Sequence, residues 1–600
     1  MEQQPILVAL ATMIIFGTGA QWLAWRLRLP SILLLLACGF VAGPVLHIVR
    51  PDEMFGELLF PFVSLCVAVI LFEGSLSLHF SELREIGSVL LWLFTVGAMV
   101  TWGLGILGAH YIIGMGWMPS TLLAAILVVT GPTVIGPILR QIRPTGPVGP
   151  IARWEGIVID PIGAILAVLV FEAYRSTVEA GVNQGSWVAV EGLLLTVISG
   201  VVAGAASAFL LVRLLRQHAL PDHLESLVAL MFVVFAFTVS NLLQKESGLI
   251  AVTLMGILVA NSGVSLKQIV EFKESLSLLL ISGLFILLAA RVKPEAFLDL
   301  GWRGVAFVAF MILVVRPLSI LASTWSSKLT WKEKVFLAWL APRGIVAASV
   351  ASVFAIELGP EDGAGLVPAT FALIVGTVVT YGLTAYPLAL KLGLASKEPQ
   401  GLLLVGAHPF ASGIGQAVQQ AGFPVLLVDT NHRNIRSARM EGLRTTDMNI
   451  LQEDAAERLD LGGIGRMLAM TPNDEVNSLA AMNMAELFGR ANIFQLTPWR
   501  QVERNEQPPP HLRSRYLFSQ GLTFDRLLQR YEEGDQIKTT KLTKEFDFLK
   551  FQEMHQGQAI PLFHIVGNRL TVIDAETRQD FKPGEAVIAL VPKIDRTAVS

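Results

Sequence analysis

The chain has 600 residues, of which 53% are hydrophobic and 16% are charged, and its formal net charge at pH 7 is −3. This composition does not fit an ordinary soluble enzyme, and it gives no reason to expect a nucleic-acid partner. It indicates a protein that lies mostly in the lipid bilayer. Cys38 and Cys66 both lie in apolar stretches without a pairing or metal-ligating pattern, so we expect them to be packing residues.

Apolar stretches about 20 residues long recur through the first two thirds of the chain, and this is the length that crosses a hydrocarbon core roughly 30 Å thick. They predict a membrane domain over residues 1–395 with about thirteen transmembrane helices. The pattern then stops. We expect three further regions: a Rossmann-like α/β domain at 401–510, a helical connector at 511–550 and a small β-rich lobe at 551–600.

The positive charges of the loops give an orientation, because Lys and Arg accumulate on the cytoplasmic side of short loops. With the N-terminus outside, twelve Lys and Arg residues fall in the inner loops and six in the outer loops. The sequence therefore predicts a multi-pass plasma-membrane protein, in bacteria the inner membrane, with an external N-terminus and a cytoplasmic C-terminal tail.

Two of the predicted spans contain residues that interrupt a helix. The fifth, at 118–140, reads "ILVVTGPTVIGPILRQIRP", and the twelfth, at 332–357, has Pro342, Arg343 and Gly344 at its centre. Proline removes a backbone donor and clashes with the preceding turn, so both helices should break. Broken helices at matching places in two halves of a chain are typical of the midplane substrate site of a secondary transporter.

Ionisable residues inside the spans are the second feature, since a charge at bilayer depth costs about 2.5 kcal/mol or more. Glu73 ends the third span, Glu155 and Asp160 lie in the sixth, Arg316 in the eleventh and Arg343 in the twelfth. Glu155 and Asp160 are five residues apart on a helix, about 140° around its axis, so different roles are expected. We expect Arg343 to pair with Glu155 in the core, and Arg316 to be structural.

Asp160 then remains as a buried carboxyl group that can hold either a proton or a small cation. A group that binds one or the other, but not both, performs exchange when it is opened alternately to the two sides. Carbonyl oxygens freed near Thr130 by the helix break would be neutral ligands for a hard cation such as Na⁺ or K⁺. These considerations do not separate the two cations.

Four segments together resemble the monovalent cation:proton antiporters, in the branch of the NhaP-type and eukaryotic sodium/proton exchangers. They are "LFEGSLSL", "VVTGPTVIGP", "EGIVIDPIGA" and "APRGIVAA". The resemblance implies an inverted-repeat fold with a dimerisation side, hence a homodimer, and a mobile core that moves like an elevator. It also implies that Asp160 carries the ion, that Glu73 and Thr130 lie near it, and that Glu155 pairs with Arg343.

The chain departs from that branch at three positions. Ile159 stands where the family usually has asparagine, Gly131 where it commonly has aspartate, and Gly156 where it has serine. Fewer polar ligands should favour a cation that is easily dehydrated, so potassium stands beside sodium as a substrate. Electrogenic relatives use two adjacent acidic residues. Because Ile159 is apolar, we predict electroneutral exchange.

The tail opens with "GLLLVGAHPFASGIGQAVQQAGFPVLLVDTN", which has the βαβ layout of a dinucleotide-binding fold. Region 401–500 resembles the TrkA-N or RCK domain that regulates potassium channels and transporters, with "TPNDEVN" as its most recognisable segment. Gly406, Asp429 and Asp447 are the candidate contacts for NAD(H) or another nucleotide. His408 falls where the second turn glycine belongs, so a ligand-free regulatory fold remains the alternative.

Three classes of function compete at this point. A cation/proton antiporter accounts for Asp160, the paired breaks and the tail together, and it would serve pH homeostasis. A nucleotide-gated K⁺ efflux system or a channel-like K⁺ transport protein would share the tail, but the chain has no Thr-Val-Gly-Tyr-Gly filter. A membrane-anchored oxidoreductase would need catalytic residues beside a nicotinamide, and the sequence shows no such set. We therefore expect a transporter and not an enzyme.

Overall fold

The structure is a computed structural model of the whole chain. It describes residues 3–27, 29–180, 182–291, 294–395, 399–452, 455, 459, 461–499, 514–519, 521–575 and 581–593. The chain divides into two compact units, Met1–Ala395 and Ser396–Ser600. The first is entirely helical in its described residues, and the second contains two β-sheets.

In its described residues, the first unit contains fifteen helical segments. They are α1 (Gln3–Leu27), α2 (Ser31–Val45), α3 (Pro51–Ser75), α4 (Leu83–Ile113), α5 (Trp117–Ile126), α6 (Pro132–Ile142), α7 (Val148–Ala180), α8 (Val182–Arg216), α9 (Asp222–Leu243), α10 (Ser247–Ala260), α11 (Lys267–Ala290), α12 (Asp299–Ser323), α13 (Trp331–Trp339), α14 (Ile345–Asp362) and α15 (Leu366–Leu392).

Length and composition mark this unit as a membrane domain. Among the described residues, eight helices are long and apolar enough to cross a bilayer, and five shorter apolar helices accompany them. Large apolar side chains are exposed along the outer helices, including Trp25 at 74% and Leu242 at 81%. Water would disfavour such a surface, whereas lipid tails are as apolar as the side chains themselves. The chain is therefore an integral membrane protein.

Two interruptions lie where the sequence has its Gly-Pro and Pro-Arg-Gly segments. Helix α5 ends at Ile126 and α6 begins at Pro132, with five non-helical residues between them. Helix α13 ends at Trp339 and α14 begins after Gly344. Pro132 occupies the first turn of α6, where its missing N–H costs nothing because that donor would have no partner within the helix.

The C-terminal unit begins with a parallel sheet in the order β3-β2-β1-β4-β5-β6. Its strands are β1 (Gly401–Val405), β2 (Val425–Asp429), β3 (Arg444–Asp447), β4 (Ile464–Ala469), β5 (Ile493–Gln495) and β6 (Arg515–Tyr516). All five residues of β1 are buried. Its unbroken apolar run is typical of a central strand with helices on both faces, among them α16 (Pro409–Gln420), α17 (His432–Met440) and α18 (Asp474–Asn483).

A second, antiparallel sheet has the order β7-β10-β8-β9. It contains β7 (Gln536–Lys541), β8 (Ile560–Val566), β9 (Arg569–Val572) and β10 (Ala586–Val591). The two sheets are tied together: the Phe518 N–H donates to Ile573 O at 2.9 Å, and one apolar cluster includes Leu404 of the first sheet and Leu590 of the second. The tail is thus a single folded body.

The prediction that residues 511–550 form a helical connector is wrong. Strand β6 extends the parallel sheet, and β7 pairs along its whole length with β10. Within this segment the described helices are Phe524–Glu532 and the start of Phe548–Met554. Strand β7 could not be recognised from the sequence because "QIKTTK" contains one apolar residue. It lies at the edge of its sheet, where lysines protect the open edge from pairing with another chain.

Candidate ion-binding site and the tail crevice

The two interrupted spans meet at their non-helical segments. The Gly131 N–H donates to Pro342 O at 2.8 Å. A Cβ atom on Gly131 would lie 2.4 Å from the Cα of Gly344, and one on Gly344 would lie 2.5 Å from the Cα of Gly131. Such distances are far below van der Waals contact, so the crossing of the two segments requires glycine at both positions.

Arg343 stabilises this crossing. Its Nη1 donates to Val128 O at 3.2 Å and to Val129 O at 2.7 Å, and its backbone N–H donates to the Thr377 hydroxyl at 3.2 Å. The two carbonyls belong to the interrupted end of α5, where helical partners are missing. A fixed positive charge in this place replaces the hydrogen bonds that the break removes.

The expected ion pair between Glu155 and Arg343 is not formed. Glu155 instead accepts two hydrogen bonds from Arg316, one from Nη1 and one from Nη2 at 2.9 Å. Arg316 also donates to Leu337 O at 3.1 Å and Leu340 O at 2.9 Å, at the end of α13. The physical reason is that Arg343 is committed to the α5 carbonyls, while Arg316 of α12 reaches Glu155 of α7. This buried pair joins α7, α12 and α13.

Asp160 is a buried carboxyl group that has no hydrogen-bond partner in the described part of the chain. It has no exposed surface, and neither carboxylate oxygen has a hydrogen-bond partner among the described residues. It lines a cavity of about 10 Å³, which is roughly the space that one water molecule needs. The remaining lining is Thr133 and Pro132 of α6 and the aliphatic side chains Val67, Ile70, Leu71 and Val346.

Thr130 and Glu73, also predicted near the ion, take different positions. The Thr130 hydroxyl is buried and has no partner among the described residues, yet Thr130 does not line the cavity around Asp160. Glu73 is half-buried in the last turn of α3, and that end of the helix packs on α7 near Ile157. Glu73 is also absent from the cavity wall as the structure describes it.

Thr133 is the cavity residue that the sequence analysis missed. Its hydroxyl is buried and has no hydrogen-bond partner in the described part of the chain. A signal was available: Thr133 is the second residue of α6, directly after the proline that starts the helix, so it belongs to the turn that faces the break.

Ile159 and Gly156, two positions near Asp160 where the chain differs from the family pattern, have different surroundings. Ile159 packs with Ala98 and Val128 in a small apolar cluster and does not line the cavity. A Cβ on Gly156 would lie 2.8 Å from the end of the Ile135 side chain. Glycine at 156 therefore leaves room for the end of the Ile135 side chain where α6 packs on α7.

His408 lies in the predicted nucleotide crevice of the tail and bonds to the backbone of the protein. His408 is 7% exposed, its Nε2 lies 2.8 Å from Met470 O, and its Nδ1 accepts from the Ala411 N–H at 3.4 Å. Nε2 is then the donor, so the ring is neutral in this arrangement. Burial lowers the pKa of His408, although the Met470 carbonyl and the charge of Asp429 oppose this effect.

The acidic residues of the crevice are also engaged. Asp429 accepts from the Ala407 N–H at 2.8 Å and the Asn431 N–H at 2.9 Å, and Asp447 contacts the His432 ring. Gly406 has a φ of +106°, which its expected place in the turn requires. A dinucleotide needs the first amides of the helix for its pyrophosphate. His408 accepts from one of these amides, that of Ala411, so a dinucleotide at this helix would compete with the ring for that donor.

Comparison with known proteins gives matches for both units. Residues 9–391 match the family described as the sodium/hydrogen exchanger, transmembrane, and residues 402–497 match the TrkA-N domain. The Na(+)/H(+) antiporter 1 of Methanocaldococcus jannaschii is 25% identical over 65% of this chain and 97% of its own. The K(+)/H(+) antiporter NhaP of Alkalimonas amylolytica is 25% identical over 66% of this chain and 68% of its own.

A solved structure agrees with the fold. The sodium proton antiporter of Methanocaldococcus jannaschii at pH 8 superposes with a TM-score of 0.57 at 24% identity, and covers 65% of this chain and 99% of that one. These relatives are transporters and not enzymes. Since the family match spans residues 9–391, the chain belongs to the sodium/hydrogen exchanger family.

Proposed function

We propose that the chain is a secondary active antiporter that exchanges Na⁺ or K⁺ for protons, with Asp160 as the group that carries the ion. The observation that carries the proposal is the carboxyl group of Asp160, fully buried beside a small cavity and without a partner among the described residues. A group kept only for structure would be hydrogen-bonded. The relatives named as Na(+)/H(+) and K(+)/H(+) antiporters support the same reading.

Exchange follows from competition at this single group. A charged Asp160 binds a cation through its oxygens, and a protonated Asp160 does not. When the cavity opens alternately to the two faces, each face loads whichever ligand its concentrations favour, so the two fluxes are coupled. One carboxyl group that carries one charge in either direction makes the exchange electroneutral.

The buried charges of Glu155, Arg316 and Arg343 hold the helices around the site in a fixed arrangement while the core moves as one body. Arg316 neutralises Glu155, and Arg343 holds the carbonyls of the broken fifth span, so both arginines belong to the scaffold. Breaking a buried pair by removing one partner costs about 3–5 kcal/mol. The pair therefore keeps α7, α12 and α13 together, in agreement with a core that shifts as one body.

The wider architecture is part of the same proposal. All thirteen predicted spans cross the membrane, the fifth and twelfth as broken helices of two inverted repeats, with the N-terminus outside. The chain forms a homodimer in a plasma membrane, in bacteria the inner membrane. The tail lies in the cytoplasm and regulates transport, which contributes to pH homeostasis.

The preference for sodium or potassium depends on how many oxygen ligands surround the ion. Gly131, Gly156 and Ile159 add no polar group to the cavity, so few protein oxygens replace the hydration shell of the ion. Potassium loses its water more readily than sodium, and we include it as a substrate for that reason. Relatives named for each cation match this chain.

The test is Asp160→Asn in everted membrane vesicles, with proton movement followed by a pH-sensitive dye after addition of Na⁺ or K⁺. Asparagine keeps the volume but binds no proton, so exchange of both cations should be abolished. Asp222→Asn is the matched control, because Asp222 is exposed at the start of α9, and it should keep wild-type exchange. Persistent exchange in Asp160→Asn would refute the proposal, and a cation current uncoupled from protons would favour the channel-like alternative.

A further inference from the structure

Three threonine hydroxyls of the membrane unit are buried without a hydrogen-bond partner among the described residues, those of Thr130, Thr133 and Thr370. Of these three residues, Thr133 is the one that lines the cavity of Asp160. Thr101 and Thr253 each donate to the carbonyl four residues earlier, at 2.8 Å and 2.7 Å. For Thr133 the residue four positions earlier is Val129, which lies in the non-helical break before α6 begins, and its carbonyl accepts from Arg343 at 2.7 Å. The Thr133 hydroxyl is buried and has no hydrogen-bond partner among the described residues.

The position of Thr133 matters as much as the missing partner of its hydroxyl. Thr133 and Asp160 line the same cavity, and the other lining residues are Pro132 and four aliphatic side chains. A buried polar group without a partner is costly, and such groups in native proteins call for an explanation. Among the described residues that line this cavity, Asp160 and Thr133 are the two that carry side-chain oxygens, and the cavity is about the size of one water molecule.

Neighbouring positions cannot supply that second oxygen. Residue 131 has no side chain, and a Cβ there would collide with the backbone of Gly344 at 2.4 Å. Ile159 packs into an apolar cluster, and Thr130 does not line the cavity. Among the described residues that line the cavity, Thr133 is therefore the one with a neutral side-chain oxygen.

We propose that the Thr133 hydroxyl oxygen binds the transported cation beside the Asp160 carboxylate and sets the affinity for the cation. The proposal rests on the proposed function of Asp160. A hydroxyl oxygen has two lone pairs and suits hard monovalent cations. It adds no charge, so the exchange stays electroneutral. Thr133 thus provides an oxygen ligand in the turn where residue 131 is bare.

The experiment replaces Thr133 by valine, which keeps the shape and removes the oxygen. In vesicles, the half-saturating concentration of each cation that wild type transports, Na⁺ or K⁺, should rise about tenfold. This change is equivalent to about 1.4 kcal/mol. The maximal rate and the pH profile at saturating cation should stay near wild type, because Asp160 still binds the proton. Thr133→Ser restores the oxygen and should restore the wild-type value.

Thr253→Val is the matched control, since that hydroxyl is buried but bonded within α10; it should leave the half-saturating concentration unchanged. If Thr133→Val has the same half-saturating concentrations of Na⁺ and K⁺ as wild type, the ligand role is refuted while the antiporter proposal stands. If wild type exchanges no cation for protons, both fail. Should Thr133→Val fold poorly, Thr133→Ser decides the question: a hydroxyl ligand keeps its affinity within about threefold, and a tenfold loss overturns the proposal.

Discussion

The buried pair of Glu155 and Arg316 gives a prediction that separates the structure from the sequence pattern. Arg316 makes four hydrogen bonds, two to Glu155 and two to the carbonyls of Leu337 and Leu340. Replacing Glu155 by Gln, or Arg316 by Met, removes one charge and leaves the other buried without its counter-ion. Each change should lower the free energy of unfolding by about 3–5 kcal/mol.

The interaction between the two residues is measured by a double-mutant cycle. Once one partner is gone, removing the other relieves an unpaired charge, so the double variant should be less destabilised than the sum of the two single variants. Residues in contact show couplings of about 0.5–3 kcal/mol, and a bidentate buried pair should lie near the top of that range. The same cycle with Glu155→Gln and Arg343→Met should give less than about 1 kcal/mol, because Arg343 bonds to carbonyls and not to Glu155.

The assay is equilibrium unfolding of the purified full chain in mild detergent, titrated with a denaturing detergent and followed by circular dichroism. Each variant's exchange in vesicles shows whether it still folds in the membrane. A coupling between Glu155 and Arg343 equal to or larger than that between Glu155 and Arg316 would refute the reasoning and reinstate the pair expected from the sequence.

Two further predictions concern the helix crossing and the tail. Gly344→Ala places a Cβ 2.5 Å from the Cα of Gly131, so exchange should be lost, whereas Gly19→Ala, with open space around it, should retain exchange; an active Gly344→Ala would contradict the close crossing. In the tail, the lowered pKa of His408 means that the unfolded chain takes up the proton first as the pH falls. The stability of the tail should therefore be complete above about pH 6.5 and decline below it. Hydrogen exchange of the full chain between pH 5 and 8 measures this decline, His408→Asn should reduce it, and an unchanged pH profile in that variant would contradict the role of the imidazole.

The sequence was sufficient for the class of fold because that class depends on local patterns. Apolar stretches of span length predict a membrane domain whatever their partners, and the runs "GLLLV" and "VLLVD" predict buried parallel strands. Proline and glycine act within a turn or two of their own position, so the places where the fifth and twelfth spans are interrupted could be predicted from Pro132 and Pro342.

Edge strands and partner choice could not be predicted in the same way. Strand β7 looks polar because its apolar content is one residue, and it becomes a strand by pairing with β10 some 50 positions later in the chain. The partner of Glu155 depends on which arginine faces α7 and on what else each arginine binds. Two arginines were available, and the sequence does not show that the carbonyls of Val128 and Val129 would take Arg343.

For the candidate site too, some features follow from the sequence and others only from the tertiary structure. The sequence alone determined that a carboxyl group, Asp160, lies in an apolar span beside a proline, and that two helices break, because these are properties of residues and their immediate neighbours. The tertiary structure decided that Arg316 and not Arg343 neutralises Glu155, that Gly131 and Gly344 must be bare, and that Thr133 shares the cavity of Asp160. Those outcomes depend on how distant segments approach one another, and spacing along a chain carries no measure of that approach.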